Sequence, residues 1–278
     1  MSAGTTPRAP VSLFGERVLT SLESTGEFAR LAVDTGRAAL RPRFPWRELL
    51  LQLESIGVRS TPIVAITATF TGMVLALQTA FGLARFGAKP YVGSIVGLAI
   101  VRELGPVLAA LMVCGRVGAG IASELGSMKV TEQVDAIRAM GADPVQKLVL
   151  PRVLATTLAL PLLTLTAVVL GVLGGMLVAD LQFHISPHFY MQTITTTVGL
   201  ADFFAGVAKT FVFGWIVAMV GCFVGLGTEG GTVGVGRATT QAVVISSILV
   251  LVSDFFLTKL LMALPGEVVL GWLLGVLA

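Results

Sequence analysis

Long apolar stretches make up most of this chain, and they constrain its fold more than any other feature of the sequence. Each stretch has at least the about 20 residues that an α-helix needs to cross a bilayer. In lipid the backbone must satisfy its own hydrogen bonds, and a helix does so within one segment. The sequence therefore predicts an all-α integral membrane protein with about five spans, at residues 62–83, 91–123, 148–179, 203–226 and 242–264.

The composition supports this prediction and excludes an ordinary soluble domain. Hydrophobic residues make up 55% of the 278 residues and charged residues 13%, whereas soluble domains carry about 25% charged residues. The two cysteines lie inside apolar stretches, so we expect core residues rather than a disulfide. Glycines spaced for close helix packing in lipid form four pairs: Gly93/Gly97, Gly171/Gly175, Gly221/Gly225 and Gly271/Gly275.

The N-terminal part of the chain has a different character. Basic and acidic side chains alternate with apolar ones at helical spacing, which predicts an amphipathic helix lying in the membrane interface. Two prolines end it, and residues 46–56 then form a second short amphipathic piece with Trp46 as an interfacial anchor. We therefore divide the chain into a cytoplasmic tail with interfacial helices, residues 1–58, and a transmembrane domain, residues 59–278.

A polar segment joins the predicted second and third spans. Residues 128–140 are amphipathic, and Gly141, Asp143 and Pro144 end the pattern. We interpret this segment, about residues 127–141, as a surface helix outside the membrane. Because both of its ends continue into spans, a push on this helix would move two spans.

The basic residues outside the spans indicate the orientation. They are concentrated in the N-terminal part, in residues 124–147 and in the glycine-rich loop 227–240, whereas the loop 180–202 has no Lys or Arg. Cytoplasmic loops carry an excess of positive charge, so we predict that the N-terminus and the polar segment are cytoplasmic. Five spans place the C-terminus on the opposite side. The apolar tail at residues 268–277 is too short to cross a bilayer alone.

Several charged side chains lie within the predicted spans. Each costs at least about 2.5–3.5 kcal/mol at the bilayer centre, so we expect them to pair or to face a wet cavity. One interpretation is a set of salt bridges that fixes helix packing, and the other is a polar cavity for an anionic headgroup. Two of them lie nearer helix ends, where they can reach the interface. The residues are Arg102, Glu103, Arg116, Lys209, Asp254 and Lys259.

Motifs for other chemistry are missing from the sequence. It contains no G-x-x-x-x-G-K-[ST] loop, so we expect no ATP site in this chain. His184 and His188 have the spacing of metal ligands on a helix, but Pro187 lies between them and no third ligand is near. We predict no metal, no catalytic residues and no enzymatic activity, and nothing in the sequence indicates nucleic-acid binding.

Two long blocks of the sequence resemble one known family. The segments GLAIVRELGPVLAALMVCGRVGAGIASELGSMKVTEQVDAIRAMGADPVQKLVLPRVLA (Gly97–Ala155) and VGVGRATTQAVVISSILVLVSDFFLTKLL (Val233–Leu261) are similar to MlaE/YrbE-type permeases. These are the membrane subunits of ABC systems that work with Mce-domain proteins. The resemblance extends over most of the chain from about Trp46 onward.

The resemblance implies a homodimeric permease in the inner membrane of a bacterium with two membranes. It also implies a cytoplasmic ABC ATPase that holds ATP and Mg, a small STAS-domain subunit and a hexameric periplasmic Mce ring. The implied cargo is phospholipid, moved between the inner and outer membranes. An odd number of spans without an internal repeat also favours a two-fold dimer.

The resemblance further assigns roles to residues. Residues 127–141 match the helix that couples such permeases to the ATPase, with a polar face of Lys129, Glu132, Asp135 and Arg138. The lipid-binding residues that it implies are Arg102, Glu103, Lys209, Arg237 and Asp254.

The mechanism that we expect places lipid tails against apolar walls and the lipid phosphate against Arg102, Lys209 or Arg237. Glu103 and Asp254 tune these cations or form salt bridges with them in the empty state. Three alternatives stay open at this point: a non-transporting anchor for the periplasmic ring, another hydrophobic cargo such as a sterol, and either direction of transport.

Overall fold

The structure, a computed structural model, describes residues 10–40 and 46–263, with the side chains of residues 22–40, 46–261 and 263. By its internal contacts the chain separates into two units, residues 1–44 and 45–278. The described part of the first unit is one helix, α1 (Pro10–Ala39). Its helical state confirms the helix predicted for this region.

The described part of the second unit consists of helices, which confirms the predicted fold class. Five of them are long and apolar enough to cross a membrane, at Trp46–Ala84, Lys89–Val130, Val145–Phe183, Leu200–Leu226 and Gly231–Leu261, so the chain is a multi-pass membrane protein. The helices are α2 (Trp46–Ala84), α3 (Lys89–Val130), α4 (Gln133–Ala139), α5 (Val145–Phe183), α6 (Pro187–Thr197), α7 (Leu200–Leu226) and α8 (Gly231–Ala263).

Wide π-helical turns interrupt the long helices, and three of them lie just before a proline. A proline in a helix lacks an N–H and its ring pushes against the carbonyl group four residues earlier. The turn at Glu54–Val58 precedes Pro62, the turn at Ile100–Leu104 precedes Pro106, and the turn at Val145–Val149 precedes Pro151; a fourth turn is Cys114–Gly118. Each of the first three turns makes room for the proline ring, so the helix continues instead of breaking.

Two boundaries differ from the sequence prediction, and the π turn before Pro62 accounts for the first. Residues 46–56 are not a separate piece but the first turns of α2, and the boundary drawn between residues 58 and 59 falls inside this continuous helix. The second span is longer at its C-terminal end than predicted, because α3 continues to Val130.

Two segments predicted as loops are helical. Within residues 180–202 the chain forms α6, whose N-terminus is capped by the Ser186 hydroxyl accepting from the Phe189 amide at 3.4 Å. The glycine-rich loop is shorter than predicted, because the left-handed residues Gly230 and Gly231 complete the turn and α8 begins there. Glycine reverses the chain at these two positions without steric cost, and the remaining glycines do not stop the helix. The tail 268–277 and the pair Gly271/Gly275 lie outside the described residues.

The predicted surface helix at residues 127–141 is interrupted. Residues up to Val130 belong to α3, and Glu132 adopts a left-handed conformation with a φ of 58°. Such a residue cannot continue a right-handed helix, so a separate short helix, α4, follows it. In α4, Val134 and Ile137 are buried and the remaining residues are exposed, which is the amphipathic pattern that the sequence predicts.

The helix α6 is held to the bundle by a buried tyrosine. Tyr190 is fully buried in an apolar cluster with residues of α2, α3 and α5, and its hydroxyl has no hydrogen-bond partner within the described residues. Burial raises the pKa of Tyr190 above its ordinary value, because an apolar environment disfavours the phenolate. The hydroxyl therefore stays protonated, and Tyr190 packs in this cluster as an uncharged side chain.

Glycines bring the long helices into backbone contact. A Cβ atom on Gly175 would lie 3.2 Å from the carbonyl oxygen of Gly72, and one on Gly225 would lie 2.9 Å from the Cβ of Leu125. These contacts join α5 to α2 and α7 to α3. Together with Gly93 and Gly97, which face α6, they confirm close contact at the three described glycine pairs.

Replacing Gly72 by alanine is expected to force α2 and α5 apart. A Cβ at this position would lie 2.6 Å from the carbonyl carbon of Gly171, whereas a Cβ at Gly82 of the same helix meets nothing within 4 Å. We therefore expect G72A to lower the stability in detergent by about 1–3 kcal/mol and G82A to leave it unchanged or raised. Thermal unfolding of the two variants tests this, and equal midpoints would contradict the packing.

Candidate functional site

The most polar point inside the bundle is the ammonium group of Lys209, which joins three spans. Lys209 of α7 is 3% exposed. Its Nζ donates to Glu103 Oε2 of α3 at 2.7 Å, to Asp254 Oδ1 of α8 at 2.9 Å and to Thr258 Oγ1 of α8 at 3.0 Å. The Thr258 hydroxyl in turn donates to Glu103 Oε1 at 3.1 Å. We call these four residues the ion cluster.

Local structure explains why these side chains meet. Glu103 lies in the π turn Ile100–Leu104, which changes the direction of the side chains around it. One turn before Lys209, Gly206 lets α7 approach α3 so closely that a Cβ there would collide with the Val101 carbonyl oxygen. Asp254 and Thr258 are four residues apart and therefore share one face of α8.

The charges of the ion cluster do not balance. One ammonium group meets two carboxylates, and all three of its protons already have acceptors. The exposed parts are the carboxylates, because the side chain of Glu103 is 37% exposed and that of Asp254 is 18% exposed. In this state Lys209 has no free donor for a phosphate, so the cluster resembles the empty-state salt bridges that the sequence suggests.

Arg102 points to a separate partner beside the cluster. Its Nε lies 2.8 Å from Asp202 Oδ1, and its side chain is 39% exposed. Asp202 also accepts from the Gly199 amide at 3.0 Å and thereby caps the N-terminus of α7. Within the described residues the rest of the guanidinium group has no carboxylate partner, so its remaining N–H donors are available to an anion.

The structure does not bring Arg237 to the ion cluster. Arg237 lies within α8, and the 17 positions between it and Asp254 correspond to about 25 Å along a helix. It is exposed and borders a groove of about 610 Å³ that runs along one face of α8. Within one copy of the chain, Arg237 and the cluster therefore lie at different depths.

The polar face predicted for the surface helix is present. Asp135 pairs with Lys129 at 3.0 Å and with Arg138 at 3.4 Å. Glu132, Asp135 and Arg138 are exposed, and Lys129 is partly buried. The pair between Lys129 and Asp135 ties α4 to the end of α3, so the two helices are braced across the bend at Glu132.

Three residues that form polar contacts between helices were not identified from the sequence. Thr258 and Asp202 bind predicted residues, and spacing alone signals them, since Thr258 lies one helical turn after Asp254 and Asp202 lies three residues after the glycine that starts α7. The third is Arg152, which is buried and pairs with Glu124 at 2.9 Å. A basic residue directly after a proline in an apolar run was the available signal.

The described residues offer no metal site. Among residues 10–40 and 46–263, no three side chains of His, Cys, Asp or Glu lie in an arrangement that could hold a metal ion. His184 has a φ of 56° and ends α5, while His188 belongs to α6, so the two do not share a helix face.

Comparison with known proteins gives consistent similarities. Residues 49–260 match the family model described as permease MlaE. The chain is 42% identical to a probable ABC transporter permease protein of Rickettsia typhi over 250 residues, 90% of this chain and 96% of that protein. It is 32% identical over 254 residues, 90% of this chain and 97% of that protein, to the intermembrane phospholipid transport system permease protein MlaE of Haemophilus influenzae.

A plant protein is also similar. The protein TRIGALACTOSYLDIACYLGLYCEROL 1, chloroplastic, of Arabidopsis thaliana is 37% identical over 228 residues, which cover 82% of this chain and 65% of that protein.

Replacing Lys209 by methionine is expected to destabilise the bundle strongly. The change leaves Glu103 and Asp254 without their shared cation, and removing one partner of a buried ion pair costs about 3–5 kcal/mol. Lys259→Met is the matched control, because Lys259 lies on the same helix as Asp254, is exposed and has no ion pair within the described residues. Thermal unfolding in detergent measures both variants, and equal midpoints would show that the cluster does not hold the spans together.

Proposed function

The chain belongs to the MlaE permease family, and from this premise we propose that it is the membrane subunit of an ABC transporter that moves phospholipids between the inner and outer membranes of a bacterium. The observation that carries the proposal is the ion cluster, which is polar, partly open and set among apolar spans. A phospholipid needs a polar surface for its charged headgroup and an apolar surface for its tails.

The headgroup meets Arg102 first in this proposal. Its guanidinium group is partly exposed and has free donors, and arginine binds phosphate through paired charge-assisted hydrogen bonds. A phosphate beside Arg102 then competes with Glu103 and Asp254 for the Lys209 ammonium. Lipid binding therefore loosens the contact between α3, α7 and α8, which links occupancy to the opening of the pathway. Arg237 contacts the lipid at a different depth.

A second copy of the chain completes the pathway. Only 11% of an 18-residue apolar stretch of α8 is buried, against 28–56% of the corresponding stretches of the other four spans. Four of its exposed apolar residues follow helical spacing and form a stripe: Val244, Ile248, Leu251 and Phe255. Further exposed apolar residues of α8 lie beside this stripe and widen the apolar face: Leu249, Val252, Phe256 and Leu260. We infer that this stripe packs against its equivalent in a homodimer, so that the two ion clusters border a shared cavity.

The energy comes from a separate subunit. The sequence has no phosphate-binding loop, so ATP and Mg belong to a cytoplasmic ABC ATPase that docks on α4 and contacts Lys129, Glu132, Asp135 and Arg138. From the positive-inside rule we infer that this face and the N-terminus lie in the cytoplasm, and from the family we infer that the chain lies in the inner membrane. A STAS-domain subunit and a hexameric periplasmic Mce ring complete the assembly that the family implies. The exposed polar face of α4 supports the docking.

Two alternatives predict different behaviour. A non-transporting anchor would tolerate the loss of the polar face, so Glu132→Ala combined with Asp135→Ala would have no effect on lipid distribution. A permease for another hydrophobic cargo such as a sterol would retain ATP-driven activity but would not depend on a cation placed for phosphate.

The proposal is tested by purifying the chain in mild detergent and reconstituting it with the proteins that accompany it. We expect an ATPase, an Mce-domain protein and bound phospholipid in the preparation, and ATP-dependent transfer of labelled phospholipid between vesicles. Arg102→Glu is expected to reduce transfer by about tenfold or more, because one lost charged hydrogen-bonding group is worth about 1.5–3 kcal/mol.

Arg85→Glu serves as the control, since it reverses an exposed charge that belongs neither to the cluster nor to α8. Transfer that is absent in the unaltered complex would contradict the transport function. Transfer at an unchanged rate in R102E would contradict the assignment of the lipid site.

A further inference from the structure

An ion pair between a buried arginine and an exposed glutamate joins the two ends of the segment that faces the proposed ATPase. Glu124 lies near the end of α3 and Arg152 lies near the start of α5, and Arg152 Nη2 is 2.9 Å from Glu124 Oε2. Arg152 Nη1 also donates to the Leu148 carbonyl group at 2.7 Å. The side chain of Arg152 is 6% exposed and that of Glu124 is 56% exposed. We call this pair the clamp.

The clamp joins the two ends of a segment that is otherwise able to bend. Residues 125–151 contain the left-handed Glu132, the glycine turn at Gly141 with a φ of 74° and the π turn Val145–Val149. The pair between Lys129 and Asp135 braces α4 to α3. Among the described residues, no ion pair joins α4 to α5. A push on α4 therefore reaches α3 through the chain and through the pair between Lys129 and Asp135, whereas it reaches α5 through the short connection 140–144, with the clamp as the one ion pair in the described residues that ties α5 back to α3.

One residue of the clamp, Glu124, lies on the same helix as Glu103 of the ion cluster. Glu124 and Glu103 are 21 residues apart on α3, which corresponds to about 32 Å along a helix. Gly225 of α7 packs against this end of α3. A movement of α3 relative to α7 at this contact would displace Glu103 relative to Lys209 and thus change the contact that holds the three spans.

Stability alone is a poor reason for this pair. Arg152 Nε is buried and has no hydrogen-bond partner within the described residues, and an unpaired buried donor lowers stability. Buried ion pairs are weak stabilisers compared with apolar residues of the same volume. The clamp therefore contributes something that packing does not supply, which is a fixed distance between the ends of two spans.

We propose that Glu124 and Arg152 are positioning residues that make α3 and α5 move as one body when the ATPase acts on α4, so that ATP hydrolysis is converted into lipid movement. The proposal rests on the proposed transport function. It predicts that loss of the charge pair separates hydrolysis from transport instead of abolishing both.

Glu124→Gln provides the sharpest test, because the amide oxygen still accepts a hydrogen bond from Arg152 while the charge is lost. In the full transporter in vesicles, we expect the phospholipid transferred per ATP hydrolysed to fall by about tenfold, the usual size of a coupling between two sites. The rate of hydrolysis and the unfolding midpoint are expected to stay near the values of the unaltered complex. The exchanged pair E124R/R152E is expected to recover part of the ratio.

Glu229→Gln is the control, because Glu229 is an exposed carboxylate outside the clamp with no ion pair in the described part of the chain. An unchanged transfer per ATP in E124Q would overturn the clamp, and so would a parallel loss of hydrolysis, transfer and stability or a failure to assemble. Absence of ATP-dependent transfer in the unaltered complex would instead contradict the transport function and the clamp with it.

Discussion

The cost of keeping charged groups away from water is the constraint on which this bundle depends. Lys209 is buried among apolar helices, and its ammonium group is tolerated because two carboxylates and a hydroxyl group surround it. These acceptors come from α3 and α8, so satisfying one charge fixes three spans relative to one another. The arrangement is stable only while the acceptors stay in place, which makes it suited to a contact that a charged headgroup can open.

Prolines and glycines give the long helices the shape that the cluster requires. The π turn before Pro106 carries Glu103, and Gly206 lets α7 reach α3 at the level of Lys209. The same devices act at the start of α5, where the π turn before Pro151 leads into the arginine of the clamp. In these two places the π turns lie next to charged side chains and set their direction.

Much of this could be predicted from the sequence. The five spans follow from the length of the apolar stretches, and the cost of isolated charges in lipid predicts that the charged residues of the spans pair or face a wet cavity. That Lys209 pairs with Glu103 and Asp254 is seen only in the structure. The start of α8 at Gly231 and the bend at Glu132 were not predictable, because they depend on backbone conformations that glycine or glutamate adopts only in context. Arg237 was placed with the cluster by resemblance, although its distance along α8 separates the two.

The most direct test of the central claim is an electron cryo-microscopy reconstruction of the assembled transporter with phospholipid bound. We expect headgroup density within hydrogen-bond distance of Arg102 and beside the ion cluster, with at least one contact between Lys209 and its carboxylates lengthened. Lipid density confined to the outer faces of the spans, with all three Lys209 contacts intact, would contradict this claim.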